Sequence, residues 1–281
     1  MQKIAVVTGS SSGIGLLTAV ELAQNGYRVV ATMRDPGRSE RLEAAAEKAG
    51  VRDKIEMCRL DVTDFDALAP AVEDIVQDHG RIDVLVNNAG FSSSGFVEDT
   101  QLHELRHQME TNFFGAVAMT KAVLPVMRQQ RSGHIIQISS VSGQMPVPML
   151  SSYTASKFAL EGWSEALRIE IFSLGIRVVI VEPGAYETDI WERNLVIGKQ
   201  ALDPGSPNKE RSQRFAAFVK STASRRGDPA EVARLIMRVA KDPNPRLRYL
   251  IGRGVHAQLW FRRLTPWRSY ERIMAKATRI D

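Results

Sequence analysis

Tyr153 and Lys157, four apart in Tyr153-Thr154-Ala155-Ser156-Lys157, carry the clearest chemical signal in the chain. On a helix an i, i+4 pair shares one face. An ammonium beside a phenol favours the phenolate, drawing the tyrosine from about 10 toward the range where it exchanges a proton with an alcohol or carbonyl oxygen. Taken alone, this spacing is common by chance. Ser139 and Ser140 give it context: they end an apolar run, and open α/β sheets place their ligand crevice at the carboxyl ends of strands. Ser140 is then placed to hold the same oxygen from the other side.

A second signal is Thr8-Gly9-Ser10-Ser11-Ser12-Gly13-Ile14-Gly15. Glycines between a strand and a helix let backbone amides approach a pyrophosphate at the positive end of that helix. The spacing G-x-x-x-G-x-G departs from the commoner G-x-G-x-x-G. At the end of the next strand, Val29-Val30-Ala31-Thr32-Met33-Arg34 offers no acid for a free ribose 2′-hydroxyl. A guanidinium there suits a 2′-phosphate, so the expected cofactor is NADP(H). Asp35 is the competing ribose ligand, displaced by two positions.

The elements that must position these residues alternate regularly. Strands are expected at residues 3–8, 28–33, 55–60, 84–87, 133–139, 176–181 and 247–251, and helices at 16–25, 40–49, 66–79, 102–129, 152–172 and 229–240. The strands are continuously apolar rather than alternating, so they are buried on both faces. The expected fold is a doubly wound parallel sheet of about seven strands with helices on both faces, a Rossmann arrangement. Only residues 190–227 lose the rhythm. A loop of that length in a compact domain is usually functional, and Trp191, Leu195, Val196, Ile197, Phe215 and Phe218 give it enough apolar surface for a mobile lid.

With these landmarks the chain resembles the short-chain dehydrogenase/reductase family, of its single-domain type. Asp61-Val62, Asn87-Asn88-Ala89-Gly90, Asn112 and Pro183-Gly184 followed by Thr188 complete the match. The wording of residues 143–157 and of the tail is most similar to the hydroxysteroid and retinol dehydrogenase branch. The resemblance implies that Tyr153 is the general acid/base, that Lys157 tunes it and grips the nicotinamide ribose, that Ser140 orients the carbonyl, and that Asn112 anchors a water of the proton relay. It likewise implies that the Gly9, Ser11, Ser12, Gly13, Ile14 and Gly15 turn holds the pyrophosphate, and that Ser11 and Arg34 hold the 2′-phosphate. Asp61 and Val62 would flank the adenine, Asn88, Ala89 and Gly90 the adenosine ribose, and Pro183, Gly184 and Thr188 the nicotinamide. Tyr186 departs from the family, which usually has a small aliphatic residue there, and its ring is expected to narrow the pocket. A homodimer or homotetramer is implied.

Between Ser140 and Tyr153, Gln144, Met145 and Met149 are candidates to line an apolar substrate pocket, with Trp191 from the lid. His103 and His107 read as a solvated helix face rather than a metal site.

Length and composition bound the rest. The 281 residues, 44% hydrophobic and 25% charged, suit one soluble domain across 1–281. The single cysteine allows no intrachain disulfide and fits a reducing, cytoplasmic setting. Residues 205–281 hold 18 Lys/Arg against 6 Asp/Glu, whereas residues 1–204 hold 19 against 26. These cations are interleaved with apolar residues and form no block, so they read as a solvated surface, with no nucleic-acid partner. Trp260, Phe261 and Trp267 among Arg262, Arg263 and Arg268 have the composition of an interfacial membrane element. Pro266 and the lack of a long apolar stripe favour instead a basic tail, about 252–281, that covers the pocket or a neighbouring subunit. The sequence as a whole reads as an NADP(H)-dependent oxidoreductase acting on a carbonyl or secondary alcohol of a small apolar molecule. The alternative is an NADP(H)-binding sensor or scaffold without turnover.

Overall fold

A computed structural model describes residues 2–191, 194–198, 200–203 and 205–281, with the side chains of Trp191 and Leu202 outside the description. Seven strands, β1 (Ile4–Thr8), β2 (Arg28–Met33), β3 (Ile55–Arg59), β4 (Val84–Asn87), β6 (Gly133–Ile138), β7 (Ile176–Pro183) and β9 (Arg248–Ile251), form one sheet in the order β3-β2-β1-β4-β6-β7-β9. Every neighbouring pair is parallel. Successive residues of each strand enter opposite cores, which is why the strands are apolar throughout. Val7, Val29 and Val179 pack under α1 (Gly13–Gln24), α2 (Glu40–Lys48) and α8 (Ala230–Lys241). Val6, Leu85 and Val178 pack on the other face, under α3 (Phe65–His79), α5 (Gly115–Gln130) and α6 (Ser151–Glu170). The strand order reverses between β1 and β4, so the crevice opens at the carboxyl ends of those strands.

Two expectations need correction. The long helix over 102–129 is α4 (Leu102–Met109) and α5 joined by a π-helical turn at Glu110–Phe114. A π-turn arises from backbone pairing that side-chain periodicity does not encode. Residues 190–227 are also more regular than their sequence suggests. They contain β8 (Leu195–Ile197), paired in parallel with β5 (Ser92–Ser94), and α7 (Lys209–Ser221). α7 is tied down from a distance: Arg211 lies 4.4 Å over the Phe96 ring, and its Nε donates to the Ile280 carbonyl at 2.8 Å. The tail is a helical hairpin, α9 (Val255–Leu264) and α10 (Trp267–Ala277).

Candidate active site

The glycine turn is shaped so that only glycine fits at its close approaches. Gly9 has φ +68°, and a Cβ there would come 2.8 Å from the Ala89 Cα. A Cβ on Gly15 would run into the Asn88 amide and the Gly9 carbonyl. Both positions therefore need a bare backbone. Asn88 locks the turn to the end of β4: its Nδ2 donates to the Thr8 carbonyl at 2.8 Å and the Gly9 carbonyl at 3.0 Å. The Thr8 hydroxyl in turn accepts from the amides of Asn88 and Ala89, both at 3.0 Å. Ser12 is the N-cap residue of α1 and makes no side-chain cap bond, and a Cβ on Gly13 would lie 3.6 Å from the Thr188 side chain. The opening amides of a helix have no intrahelical acceptor, so the start of α1 suits an anion.

At the mouth of β2, Asp35 is engaged locally. It accepts from the Gly37 amide at 3.0 Å and pairs with Arg38 at 3.4 Å. Arg34 is exposed and makes no ion pair or hydrogen bond among the described residues. After β3, Asp61 accepts from the Thr63 amide and hydroxyl, and Val62 is buried against Gly115.

Tyr153 and Lys157 lie on the buried face of α6, with the Lys157 Nζ 5.6 Å from the Tyr153 ring centroid. Nζ donates to the Ile138 carbonyl at 2.8 Å, so the lysine grips the end of β6 next to Ser139 and Ser140. The Tyr153 phenol is pushed up to about 12 by burial, against the opposing pull of its hydrogen bond with Ser140. Burial also brings the Lys157 ammonium down to about 8, with Glu161 acting in the other direction. The expected drift toward phenolate is therefore not what this environment does. Desolvation outweighs the Ser140 hydrogen bond, and the phenol stays protonated.

The π-turn carries Asn112, which is 2% exposed. Its Nδ2 donates to the Phe91 carbonyl at 3.0 Å and the Ser156 hydroxyl at 3.2 Å, while its Oδ1 accepts from the Phe91 amide at 3.1 Å. Asn112 thereby fixes the loop after Gly90 to the helix that bears the tyrosine. Pro183 and Gly184 end β7 beside Gly252.

Five candidates behave differently from expectation or lie outside the described residues. The Tyr186 ring is 2% exposed, closes on Gly227 and directs its hydroxyl to Glu231 of α8 at 3.4 Å, so it fills the core instead of narrowing the pocket. Gln144 donates to Glu182 at 2.5 Å and accepts from Arg263 at 3.0 Å. Met145 packs with Leu259 and Tyr270 of the tail. Met149, at φ +61°, is buried, and its carbonyl accepts from the Gly95 amide. The Trp191 side chain lies outside the described residues. His103 and His107 are exposed on α4 and rim a cavity of about 190 Å³ with Phe91 and Val196.

A buried charge cluster beneath the site has no counterpart in the motifs. Arg248 of β9 pairs with Glu161 of α6 at 2.6 Å and with Glu182 of β7. The Ser139 hydroxyl donates to Glu161 at 2.6 Å. The Glu161 carboxyl is raised by burial and by Glu182 beside it, with Ser139 and Arg248 pulling it back. Glu161 is one turn after Lys157, and Glu182 immediately precedes Pro183-Gly184. That adjacency is the only trace of the cluster in the sequence. Gln108 also escaped notice: fully buried, it accepts from the Ser93 amide and hydroxyl and donates to the Phe91 carbonyl, aligning β5.

The sequence profile of the short chain dehydrogenase family matches residues 3–195. The chain belongs to that family. It is 42% identical over 276 residues to YusZ of Bacillus subtilis, described as an uncharacterized oxidoreductase, covering 98% of each chain. Retinol dehydrogenase 8 of Homo sapiens is 40% identical over 253 residues, which are 88% of this chain and 80% of that protein. This short-chain dehydrogenase therefore sits with the retinol and hydroxysteroid branch. A solved short-chain dehydrogenase from Streptomyces avermitilis superposes with a TM-score of 0.80 at 34% identity, covering 97% of this chain and 98% of that one. A metagenomic short-chain oxidoreductase in complex with NADP superposes with a TM-score of 0.70 at 28% identity, covering 89% of this chain and 96% of that one. The protein is an oxidoreductase of this family.

Proposed function

We propose that this oxidoreductase uses NADP(H) to interconvert a carbonyl and a secondary alcohol on a small apolar molecule, with Tyr153 as the general acid/base. The observation that carries the reading is the convergence of Tyr153, Ser140, Lys157 and Asn112 near the carboxyl ends of β4 and β6, together with a turn whose Gly9 and Gly15 admit no side chain. That turn would hold the pyrophosphate, and Arg34, with Asp35 drawn away to Arg38, would meet the 2′-phosphate. The bound nicotinamide supplies or accepts the hydride. The chain itself orients and protonates. Ser140 holds the substrate oxygen beside the Tyr153 hydroxyl, the phenol gives up its proton as the oxygen becomes an alcohol, and the neighbouring ammonium of Lys157 stabilises the phenolate left behind. Residues 190–227 would close over the substrate. The apolar character of the substrate is supported by the exposed apolar residues of that segment, Val196 and Ile197 among them.

The test is a screen of ketones, aldehydes and alcohols with both cofactors, followed by two variants. Tyr153→Phe is expected to keep NADPH affinity near that of the parent while turnover falls at least a hundredfold, and Lys157→Met to damage both. A Tyr153→Phe protein that retains a tenth of the parental rate removes the proton-transfer assignment. A parent that binds NADPH and turns over nothing supports a sensor instead.

A further inference from the structure

The C-terminal hairpin leaves an apolar face without a partner. α9 and α10 seat on the body through Leu259 and Tyr270, which pack against Met145. Away from that contact, Trp260, Leu264 and Trp267 are 62%, 74% and 54% exposed. Pro266 made the sequence read as an irregular tail. The proline does not interrupt a helix: it immediately precedes α10 and makes the turn that sets the end of one helix against the start of the next.

The same surface is strongly cationic. Residues 252–281 hold seven Lys/Arg against Glu271 and Asp281. Arg262 stacks 4.7 Å from the Trp267 ring. Arg253, Arg268, Arg272 and Lys276 are exposed and make no ion pair among the described residues. Exposed tryptophan and leucine beside unpaired cations is the chemistry of a bilayer interface: the indole sits at headgroup level while Lys and Arg meet anionic headgroups. A second copy meeting this face about a two-fold axis would bring the cations against themselves. A duplex nucleic acid would use the charge and leave Leu264 with nothing to bury it.

We propose that the α9–α10 hairpin docks on the surface of an anionic lipid bilayer. Met145, under the hairpin, belongs to the 141–150 loop beside Ser140, so docking holds the crevice near the phase in which apolar molecules concentrate. The test needs neither cofactor nor substrate, and its failure is separate from any failure of the proposed reaction. The full chain is sedimented with phosphatidylcholine vesicles, with and without phosphatidylglycerol. Binding is expected to be at least tenfold stronger to the anionic vesicles, to be reversed by salt, and to shift tryptophan emission to the blue. Trp260→Ser with Leu264→Ser is expected to lose at least tenfold. Should that variant not fold, Arg268→Glu with Arg272→Glu, both exposed, is expected to abolish the preference for anionic vesicles. Equal binding to both vesicles, or none, overturns the proposal. So does tighter binding to duplex DNA that is indifferent to Trp260 and Leu264, or a fall in solution mass in the double-serine variant without any vesicle binding by the parent, which would make the face a contact between copies.

Discussion

Arg34 and Asp35 compete for one role, and their surroundings separate them. A carboxylate that already accepts from the Gly37 amide and faces Arg38 has less to offer a ribose hydroxyl, whereas the Arg34 guanidinium has no partner among the described residues to give up. A tenfold preference for NADPH over NADH needs only about 1.4 kcal/mol, within reach of one charge-assisted phosphate contact. Arg34→Ala should therefore bring the two affinities to within about threefold by weakening NADPH alone, as measured by titration of cofactor fluorescence. Equal affinities in the parent would return the ribose to Asp35. At this scale placement was legible where spacing fixes it: Gly9 and Gly15 lie between β1 and α1, Ser140 follows β6, and Tyr153 and Lys157 share the buried face of α6. It misled where role depends on direction. Tyr186 is a tyrosine in the cofactor loop whose ring turns into the core, and Gln144 is a pocket candidate whose amide is held by Glu182 and Arg263.

The end of β9 reaches the catalytic elements through Arg248, which gathers Glu161 from α6 and Glu182 from β7, and through Glu161 reaches Ser139 at the end of β6. The side chains of Glu161 and Glu182 are 4% and 1% exposed, so neither carboxylate has water to fall back on. Removing the cation from such a pair costs about 3–5 kcal/mol. Arg248→Met should destabilise the protein by that order, and by more at pH 8 than at pH 5. The sign follows from burial: the folded-state Glu161 carboxyl lies above its unfolded value, so the stability it allows is present in acid and lost as pH rises through the folded value. Thermal unfolding of parent and variant across that range checks it. A gap independent of pH would mean that Arg248 acts by packing. The cluster was not legible because its members lie far apart in the chain and only the parallel register of β7 and β9, Glu182 opposite Leu250 and Ile180 opposite Arg248, brings them together. The seven strands of the main sheet were legible, since burial on both faces writes itself as continuous apolar runs.

Across the whole molecule, the main sheet and the segment that follows β7 are held differently. The first is continuous from β3 to β9. The second hangs on β5 and β8, three residues each, and on α7 fastened to the chain end. Hydrogen exchange over residues 190–227 is expected to slow when NADPH and an apolar inhibitor bind together and to change little with NADPH alone. Complete protection without ligand would make this segment a fixed wall. No helix among the described residues is long and apolar enough to cross a membrane. The pairing of residues 92–94 with 195–197 has one more consequence. It closes a loop of about a hundred residues for the reward of three rungs, so chain entropy opposes it until the main sheet has already brought its ends together. On refolding, the strands around β1 and β4 should collapse first and β8 should dock last. The molecule then acquires its grip on a dinucleotide before it acquires the wall that encloses what the dinucleotide acts upon.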